Sequence, residues 1–223
     1  MRRILAEHRC PGCEIRKPLC FCAHIPRLEL QTRVILLMHT AEEVLTSNTA
    51  RLTTKALTNS EIRIRGRLNQ PMSTDGFIVE GRPSFLLYPS AHAAELNPEF
   101  VANLSGPATL IVPDGSWVRT RKFVRRDPAF VGIPHVKLPP GPPSEYRLRA
   151  QAGPHSLCTL EAVARAIGAL ESTDAQRALE AVLRVMVERT LWSRGAMLAD
   201  DCTTGIPPEA QEEIRPRMPR PRI

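Results

Sequence analysis

Short apolar runs separated by polar loops recur along most of the chain. Residues 33–39, 84–89 and 110–112 are strongly apolar and have the length of buried parallel strands. Residues 61–66 alternate apolar with charged side chains, as a strand near the edge of a sheet does, and 134–138 form a shorter run. The pattern therefore predicts a sheet with these five strands.

Helical patterns lie between and after the predicted strands. Leu52, Ala56 and Leu57 share one face of a helix that Ser47 or Asn48 would cap. The other predicted helices cover residues 90–96, 117–126, 160–170 and 175–193. Strands that alternate with helices in this way indicate an α/β protein.

The composition restricts the kind of protein. Of its 223 residues 43% are hydrophobic, which suits one large domain or one domain with small appendages. No apolar run has the length of a membrane span and the N-terminus lacks the apolar region of a signal peptide, so we expect a cytoplasmic protein with no membrane partner. Lys and Arg number 30 against 23 Asp and Glu, and this net charge of +7 favours a polyanion, nucleic acid before membrane.

An acidic residue follows the apolar run at 110–112. We expect that strand to end at Pro113, which cannot donate a ladder hydrogen bond. Asp114 comes next, and in open α/β sheets ligands bind at the carboxyl ends of the strands. Asp114 is therefore a candidate reaction centre, although it suits a helix cap equally well, with Trp117 filling the core.

A strongly basic helix is predicted directly after Asp114, with Asp114 or Ser116 as its cap. Its five cations are Arg119, Arg121, Lys122, Arg125 and Arg126. They would place positive charge beside the candidate centre, where it suits an anionic partner. Arg63, Arg65 and Arg67 share one face of the edge strand and would meet either phosphates or water.

Four of the six cysteines lie close together near the N-terminus, as a C-x-x-C pair on a Pro-Gly turn and a C-x-C pair on a second turn. Thiolates on two tight turns can converge on one tetrahedral Zn²⁺, with Zn–S bonds of about 2.3 Å. A site closed by four thiolates is structural, and four free thiols are the weaker interpretation. The predicted zinc ligands are Cys10, Cys13, Cys20 and Cys22.

Glycine motifs for phosphate binding do not occur in the sequence. Neither G-x-G-x-x-G nor a P-loop is present, which argues against a Rossmann dinucleotide site and against a nucleotide triphosphatase. The proline-rich residues 139–143 suit neither a helix nor a central strand. Residues after Cys202 are expected to be loosely ordered or to form a basic tail.

Several separated motifs together resemble one known family. In chain order they are the paired cysteines, Asn48-Thr49 followed by Arg51-Leu52, Leu87-Tyr88-Pro89, Asp114-Gly115-Ser116-Trp117, Tyr146-Arg147-Leu148-Arg149 and Thr159-Leu160-Glu161-Ala162. They span roughly residues 10 to 172 and are similar to those of the DTW-domain tRNA-uridine aminocarboxypropyltransferases. Ser116 stands where the family has Thr, which keeps the hydroxyl, and Cys158 stands where Ser is usual, which weakens any hydroxyl role there.

The resemblance implies a fold and a division of the chain. The fold would be α/β, a SPOUT-like sheet with helices on both faces and a C-terminal trefoil knot, plus a small N-terminal zinc knuckle. Because true knots are rare, this part depends entirely on the resemblance. Residues 1–28 would be the zinc-binding segment, 29–200 the catalytic DTW domain and 201–223 a Pro/Arg-rich C-terminal tail.

The resemblance also implies a reaction. The family moves the 3-amino-3-carboxypropyl group of S-adenosylmethionine to N3 of a tRNA uridine and releases 5′-methylthioadenosine. Asp114 would remove or orient the N3 proton or, alternatively, hold the amino group of the donor. The partner would be tRNA, with no obligate protein partner; the uridine, the tRNAs, the oligomeric state and the role of the basic tail stay open.

The predicted site residues form three sets. Ser116 and Trp117 join Asp114 as catalytic residues. The cofactor would contact Leu87, Tyr88, Pro89, Ser90, Val112, Pro113, Asp114, Leu138, Leu157, Thr159 and Glu161. The RNA would contact Arg51, Lys55, Arg119, Arg121, Lys122, Arg125, Tyr146, Arg147 and Arg149.

Two other functions stay open at this stage. A SPOUT-type RNA methyltransferase would release S-adenosylhomocysteine instead of methylthioadenosine. A zinc-bearing RNA-binding protein without enzymatic activity would keep its function when Asp114 is replaced.

Overall fold

A six-stranded sheet forms the centre of the protein in a computed structural model that describes residues 6–149, 153 and 156–214. The strands are β1 Arg33–His39, β2 Ser60–Arg65, β3 Ser84–Leu87, β4 Ala94–Glu95, β5 Thr109–Asp114 and β6 His135–Lys137. Their order across the sheet is β2-β1-β5-β3-β6-β4, and every neighbouring pair is parallel. The carboxyl ends of all six strands therefore meet at one end of the sheet.

The central strand β5 continues through Pro113 to Asp114, so the predicted strand end at Pro113 is wrong. β3 pairs with β5 only as far as Ile111. Beyond that residue β3 requires no backbone N–H from β5, so Pro113 can be part of the strand. On the other side, Leu37 pairs with Pro113 and Met38 with Asp114. This pairing fixes Asp114 at the carboxyl end of the strand.

Helices cover both faces of the sheet, as the resemblance implies. They are α1 Ala50–Ala56, α2 Pro98–Ala102, α3 Trp117–Arg126, α4 Thr159–Leu170, α5 Thr173–Ser193 and α6 Pro208–Glu213. One face of β1, with Leu36, packs in the main core with residues of α1, α4 and α5. The other face, with Leu37, packs with Phe130 and with Phe123 of α3. Burial on both faces explains why β1 is an unbroken apolar run.

The prediction of a helix at 90–96 is wrong, because this segment contains β4 instead. Ala94 pairs with Val136 and Glu95 with Lys137, so the edge of the sheet supplies hydrogen bonds that local propensity does not anticipate. None of the helices in the described residues combines the length and the apolar character that crossing a membrane requires.

The segment after Cys202 is ordered as far as residue 214, which corrects the expectation of a loose tail there. Ile206, Ala210 and Ile214 are buried in a small core with Leu19 and Trp192, because they recur on one side of α6 and its flanks. Residues 215–223, the rest of the predicted tail, lie outside the described residues.

The N-terminal cysteine segment contributes to the core of the protein. Leu19 and Phe21 are 0% and 1% exposed. Arg189 of α5 donates from Nη1 to the carbonyl of Leu19 at 3.2 Å and to that of Cys20 at 2.5 Å. The segment is thus held by α5 through both apolar packing and charge-assisted hydrogen bonds.

Candidate active site

Asp114 is held by side chains from two other segments. Its Oδ2 accepts a hydrogen bond from Asn48 Nδ2 at 2.7 Å, and its Oδ1 accepts one from Thr159 Oγ1. Asn48 lies just before α1 and accepts from Ala50 N at 2.9 Å, while Thr159 is the first residue of α4. Ser116, not Asp114, occupies the N-cap position of α3. The carboxylate of Asp114 is therefore oriented by the starts of two helices other than the one that follows it.

The environment of Asp114 favours the protonated carboxyl. The residue is 5% exposed, and burial raises the pKa of its carboxyl group above the ordinary value. The hydrogen bonds from Thr159 and Asn48 act against this rise, and the charge of Glu42 adds to it. A carboxyl group with a raised pKa is suited to accept a proton in a reaction near neutral pH.

A cavity of about 580 Å³ opens between the ends of β3, β5 and β6 and the start of α4. Its walls are largely apolar, with Leu87, Val112 and Leu138 at the strand ends and residues 139–142 along one side. A cavity of this size and character is typical of small-molecule sites. Eight of the residues predicted to contact the cofactor line it, namely Leu87, Tyr88, Pro89, Val112, Pro113, Leu138, Leu157 and Thr159.

A second, more polar cavity of about 280 Å³ lies against Asp114. Its polar walls come from Glu42, Ser47, Asn48, Thr49, Ser116, Ser144, Tyr146, Arg149, Ser156 and Thr159. Gly115 and Trp117 line both cavities, so the two adjoin each other. Trp117 is 41% exposed at this junction, with its ring 6.3 Å from that of Tyr88, and it does not fill the core. An elongated ligand in the larger cavity would therefore reach towards Asp114.

Glu161 lines neither cavity but holds two residues that line them, Ser144 and Cys158. It is 3% exposed, and its carboxylate accepts from Ser144 Oγ at 2.6 Å, Glu145 N at 2.7 Å and Cys158 N at 2.8 Å. Cys158 stands at the N-cap position of α4, so Glu161 closes the start of that helix from its third position. The residue positions the walls of the site through the loop before α4.

Replacing Glu161 with Gln should lower the free energy of unfolding by about 2 kcal/mol. The amide has one acceptor oxygen for three donors, and a buried donor without an acceptor costs about 1–3 kcal/mol. Urea unfolding followed by circular dichroism measures the change. Glu212→Gln, on the exposed surface of α6, is the matched control and should have no effect. Equal stability of the two variants would contradict a role for Glu161 in holding the loop.

One predicted site residue has other surroundings, and one residue of the site was not predicted. Ser90 lines neither cavity, and its Oγ lies 2.8 Å from Nδ1 of His135. Asn48 is missing from the predicted set although it contacts Asp114 directly. The sequence carried a signal for it, because Asn48-Thr49 is one of the motifs that resemble the family, but no local pattern indicates that the two segments meet.

The cations of α3 are available to a partner. Arg119, Arg121, Lys122 and Arg125 are exposed, and none forms an ion pair with another of the residues that the structure describes. Together they form a positive surface beside the polar cavity, as α3 begins at Trp117.

Three of the other five predicted RNA contacts are already held by partners within the protein. Arg51 pairs with Glu14 at 2.6 Å and Arg149 with Glu42 at 2.9 Å. Tyr146 is buried and donates its hydroxyl to the carbonyl of Ser47 at 2.7 Å, whereas Arg147 and Lys55 are exposed. Tyr146 and Arg149 thus form walls of the polar cavity.

The four N-terminal cysteines converge on one point. All their sulfurs lie within 4.8 Å of one another, with Cys10 Sγ 3.5 Å from that of Cys22 and 3.4 Å from that of Cys20. Four sulfurs around a tetrahedral ion with bonds of about 2.3 Å are separated by about 3.8 Å, so these residues fit a metal. A Cβ added at Gly12 would lie 2.4 Å from Cys22 Sγ, which makes glycine necessary for this approach.

Comparison with known proteins gives a family and several relatives. The DTW domain model matches residues 7–191. The tRNA-uridine aminocarboxypropyltransferase 2 of Drosophila melanogaster is 28% identical over 172 residues, which cover 74% of this chain and 68% of that protein. The mouse protein of the same name is 26% identical over 176 residues, which cover 76% of this chain and 59% of that protein. The tRNA-uridine aminocarboxypropyltransferase A of Arabidopsis thaliana is 29% identical over 216 residues, covering 82% and 81%.

A solved structure is more distantly similar. The SAM-dependent rRNA:acp-transferase Tsr3 from Vulcanisaeta distributa superposes with a TM-score of 0.49 at 17% identity, covering 82% of this chain and 89% of that one. This likeness is too low to support an argument about the site.

Proposed function

The chain belongs to the DTW domain family, and from this premise we propose that it is a tRNA-uridine aminocarboxypropyltransferase. It would move the 3-amino-3-carboxypropyl group of S-adenosylmethionine to N3 of a tRNA uridine and release 5′-methylthioadenosine. Relatives in fly, mouse and Arabidopsis carry this activity in their names. The observation that carries the proposal is the position of Asp114, buried in the wall of a polar cavity that adjoins a larger apolar one.

The two cavities match the two ends of the donor. S-adenosylmethionine, when bound, supplies a sulfonium that activates the carbon to be transferred. The apolar cavity would hold the adenosyl end, where Leu87, Val112 and Leu138 exclude water. The polar cavity offers Arg149 to the carboxylate of the amino-acid end and Glu42 to its ammonium.

Asp114 would accept the proton of uracil N3. Two of its lone pairs are used by Asn48 and Thr159, which leaves acceptor capacity on both oxygens. Its raised pKa supports this role, because a base with an ordinary carboxyl pKa would have little affinity for the N3 proton. Trp117, half exposed where the cavities meet, is a flat surface on which the splayed base would stack, and Ser116 lies exposed beside it.

The proposal extends to the fold and the location. The parallel sheet and the cavity at its carboxyl end are compatible with a SPOUT-like domain that has a C-terminal trefoil knot around the donor site. The boundaries of the three segments, 1–28, 29–200 and 201–223, and the cytoplasmic location remain predictions.

Zinc is the metal that we propose for Cys10, Cys13, Cys20 and Cys22. Four thiolates leave no open position for water or substrate, so the metal would be structural. It would hold the turns that carry Leu19 and Phe21 into the core and onto α5.

Product analysis tests the proposed function. Purified protein is incubated with tRNA and S-adenosylmethionine, and both the small-molecule products and the digested nucleosides are measured by mass spectrometry. We expect one methylthioadenosine for each uridine modified at N3. Release of S-adenosylhomocysteine would instead indicate a methyltransferase, and a lack of both products with retained tRNA binding would indicate a binding protein.

A further inference from the structure

Arg65, at the end of the edge strand β2, is a buried cation that forms no ion pair with the residues that the structure describes. It is 8% exposed, and its Nε and Nη2 are buried and make no hydrogen bond to any residue that the structure describes. Its guanidinium stacks on the ring of Phe123 at 3.9 Å. A buried charge is costly unless it is paired, so these donors require an explanation beyond folding.

Neither of the nearby carboxylates forms an ion pair with Arg65. Asp114 accepts from Asn48 and Thr159, and Asp127 accepts from Ala129 N at 3.0 Å. Burial lowers the pKa of Arg65. The charges of Asp114 and Asp127 partly raise it again, although neither residue forms an ion pair with Arg65. Within the described part of the chain, the guanidinium therefore keeps donors for an external anion.

Arg65 lines an open cavity of about 420 Å³ whose other charged walls are mostly cationic. Arg119, Lys122 and Arg126 reach it from α3, where spacings of three and four residues place them on one helix face. Arg121 and Arg125 do not line it. The helix thus directs only part of its charge into this cavity.

His39 adds a neutral donor to the same cavity. Its Nδ1 accepts from Ala41 N at 3.0 Å, so the neutral ring must carry its proton on Nε2. The pKa of His39 is lowered by burial and by the charges of Arg65 and Arg119, which favours the neutral ring. An oxyanion in the cavity would meet four cations and one N–H donor, with Asp127 as the only acidic wall residue.

The cavity lies next to the candidate reaction centre. His39 and Arg65 are paired at the ends of β1 and β2, and Met38 pairs with Asp114 on the neighbouring strand. A Cβ added at Gly115 would be 3.6 Å from Arg65 Nη2, and the φ of Gly115 is 148°, a conformation that favours glycine. An anion held by Arg65 would thus lie close to Gly115, the residue that follows Asp114 in the chain.

We propose that the cavity formed by Arg65, His39, Arg119, Lys122 and Arg126 binds a backbone phosphate of the RNA beside the target nucleotide. In a nucleotide one ribose separates the base from its phosphate, so gripping the phosphate here would bring the base to Asp114. The inference rests on the proposed function and names a phosphate subsite for it. Phosphate contacts position nucleic acid without reading its sequence, which suits a site next to the reacting base.

Paired substitutions test the proposal. Arg65→Met removes the buried donors but keeps an apolar chain against Phe123, and Lys122→Gln removes a wall cation. We expect each to weaken tRNA binding about tenfold and to reduce the slope of log K against log salt by about 1. Arg121→Gln, next to Lys122 on the helix but outside the cavity, is the matched control. As another predicted RNA contact it should weaken tRNA binding, but inorganic phosphate should still compete with tRNA in this variant, whereas in Lys122→Gln it should not.

Inorganic phosphate separates the cavity from the rest of the basic surface. Millimolar phosphate should compete with tRNA in the wild type and lose this effect in Arg65→Met, measured at constant ionic strength. Equal tRNA affinity and salt slope in Arg65→Met and wild type would overturn the proposal, as would equal competition by phosphate in Lys122→Gln and Arg121→Gln. A wild type that binds no tRNA would contradict the proposed function itself. If Arg65→Met does not fold, the comparison of Lys122→Gln with Arg121→Gln still tests whether the cavity binds phosphate.

Discussion

Asp114→Asn should reduce transfer to tRNA about 10³-fold, the effect of losing a general base. Asn has nearly the same shape and keeps a carbonyl oxygen for one of its two donors, Asn48 or Thr159. It cannot accept the N3 proton. Steady-state transfer with radiolabelled S-adenosylmethionine measures turnover, and fluorescence titration measures the affinities for tRNA and for the donor, which we expect to change less than threefold.

The raised pKa of Asp114 affects activity and stability in opposite directions. The reaction needs the carboxylate, so the wild-type rate should rise with pH through a pKa above the ordinary 3.8, and Asp114→Asn should lose this rise. The folded state keeps the proton at pH values where the unfolded chain has lost it, so the contribution of this group to stability falls over the same range. The substitution removes a group that is costly to ionise in the folded state, but it leaves Asn48 or Thr159 without an acceptor. These two effects oppose each other, so Tm should change little.

The same variant distinguishes the two roles of Asp114. If the carboxylate holds the amino group of the donor, affinity for S-adenosylmethionine should fall as much as turnover, and this result would contradict the role as base. Asp75→Asn, in an exposed loop, is the control for the loss of one negative charge. Unchanged turnover in Asp114→Asn would remove the catalytic assignment altogether.

Removal of the proposed zinc should cause the largest loss of stability. With Cys10 and Cys22 both replaced by Ser, we expect no bound zinc and a free energy of unfolding lower by at least about 3 kcal/mol, a fraction of what structural zinc contributes in zinc fingers. Leu19 and Phe21 are buried beside the two turns, and the small core after Cys202 packs on Leu19, so we expect loss of the metal to loosen both. Hydrogen exchange should therefore increase in residues 203–214 as well as around the cysteines.

Metal analysis and a matched cysteine variant control this result. The wild type should contain about one zinc per chain and be colourless, because an iron–sulfur cluster would be coloured. Cys158→Ser makes the same atomic change outside the cluster and should retain the metal, with stability equal or slightly higher because Ser is a good N-cap. Metal-free protein with wild-type stability would contradict the structural role of the site.

The sequence by itself determined the elements that depend on local pattern. The apolar run of β1 spans Arg33–His39 as predicted, and the alternating run of β2 lies at the sheet edge. The four cysteines were recognisable because their spacing alone places thiolates on two adjacent turns. The family motifs pointed to Asp114, since their residues and order are specific even where the contacts between them are not visible.

Only the tertiary structure decided what depends on distant segments meeting. Proline at 113 continues β5 because β3 no longer pairs there, and residues 94–95 form a strand because β6 offers an edge. The contacts of Asp114 with Asn48 and Thr159 join positions 66 and 45 residues away. Arg65 looked like one of several exposed edge-strand arginines, and its burial against Phe123 without a partner follows from the packing of α3. Periodicity reports which face of an element is buried, whereas the partner of a buried polar group is set by long-range packing.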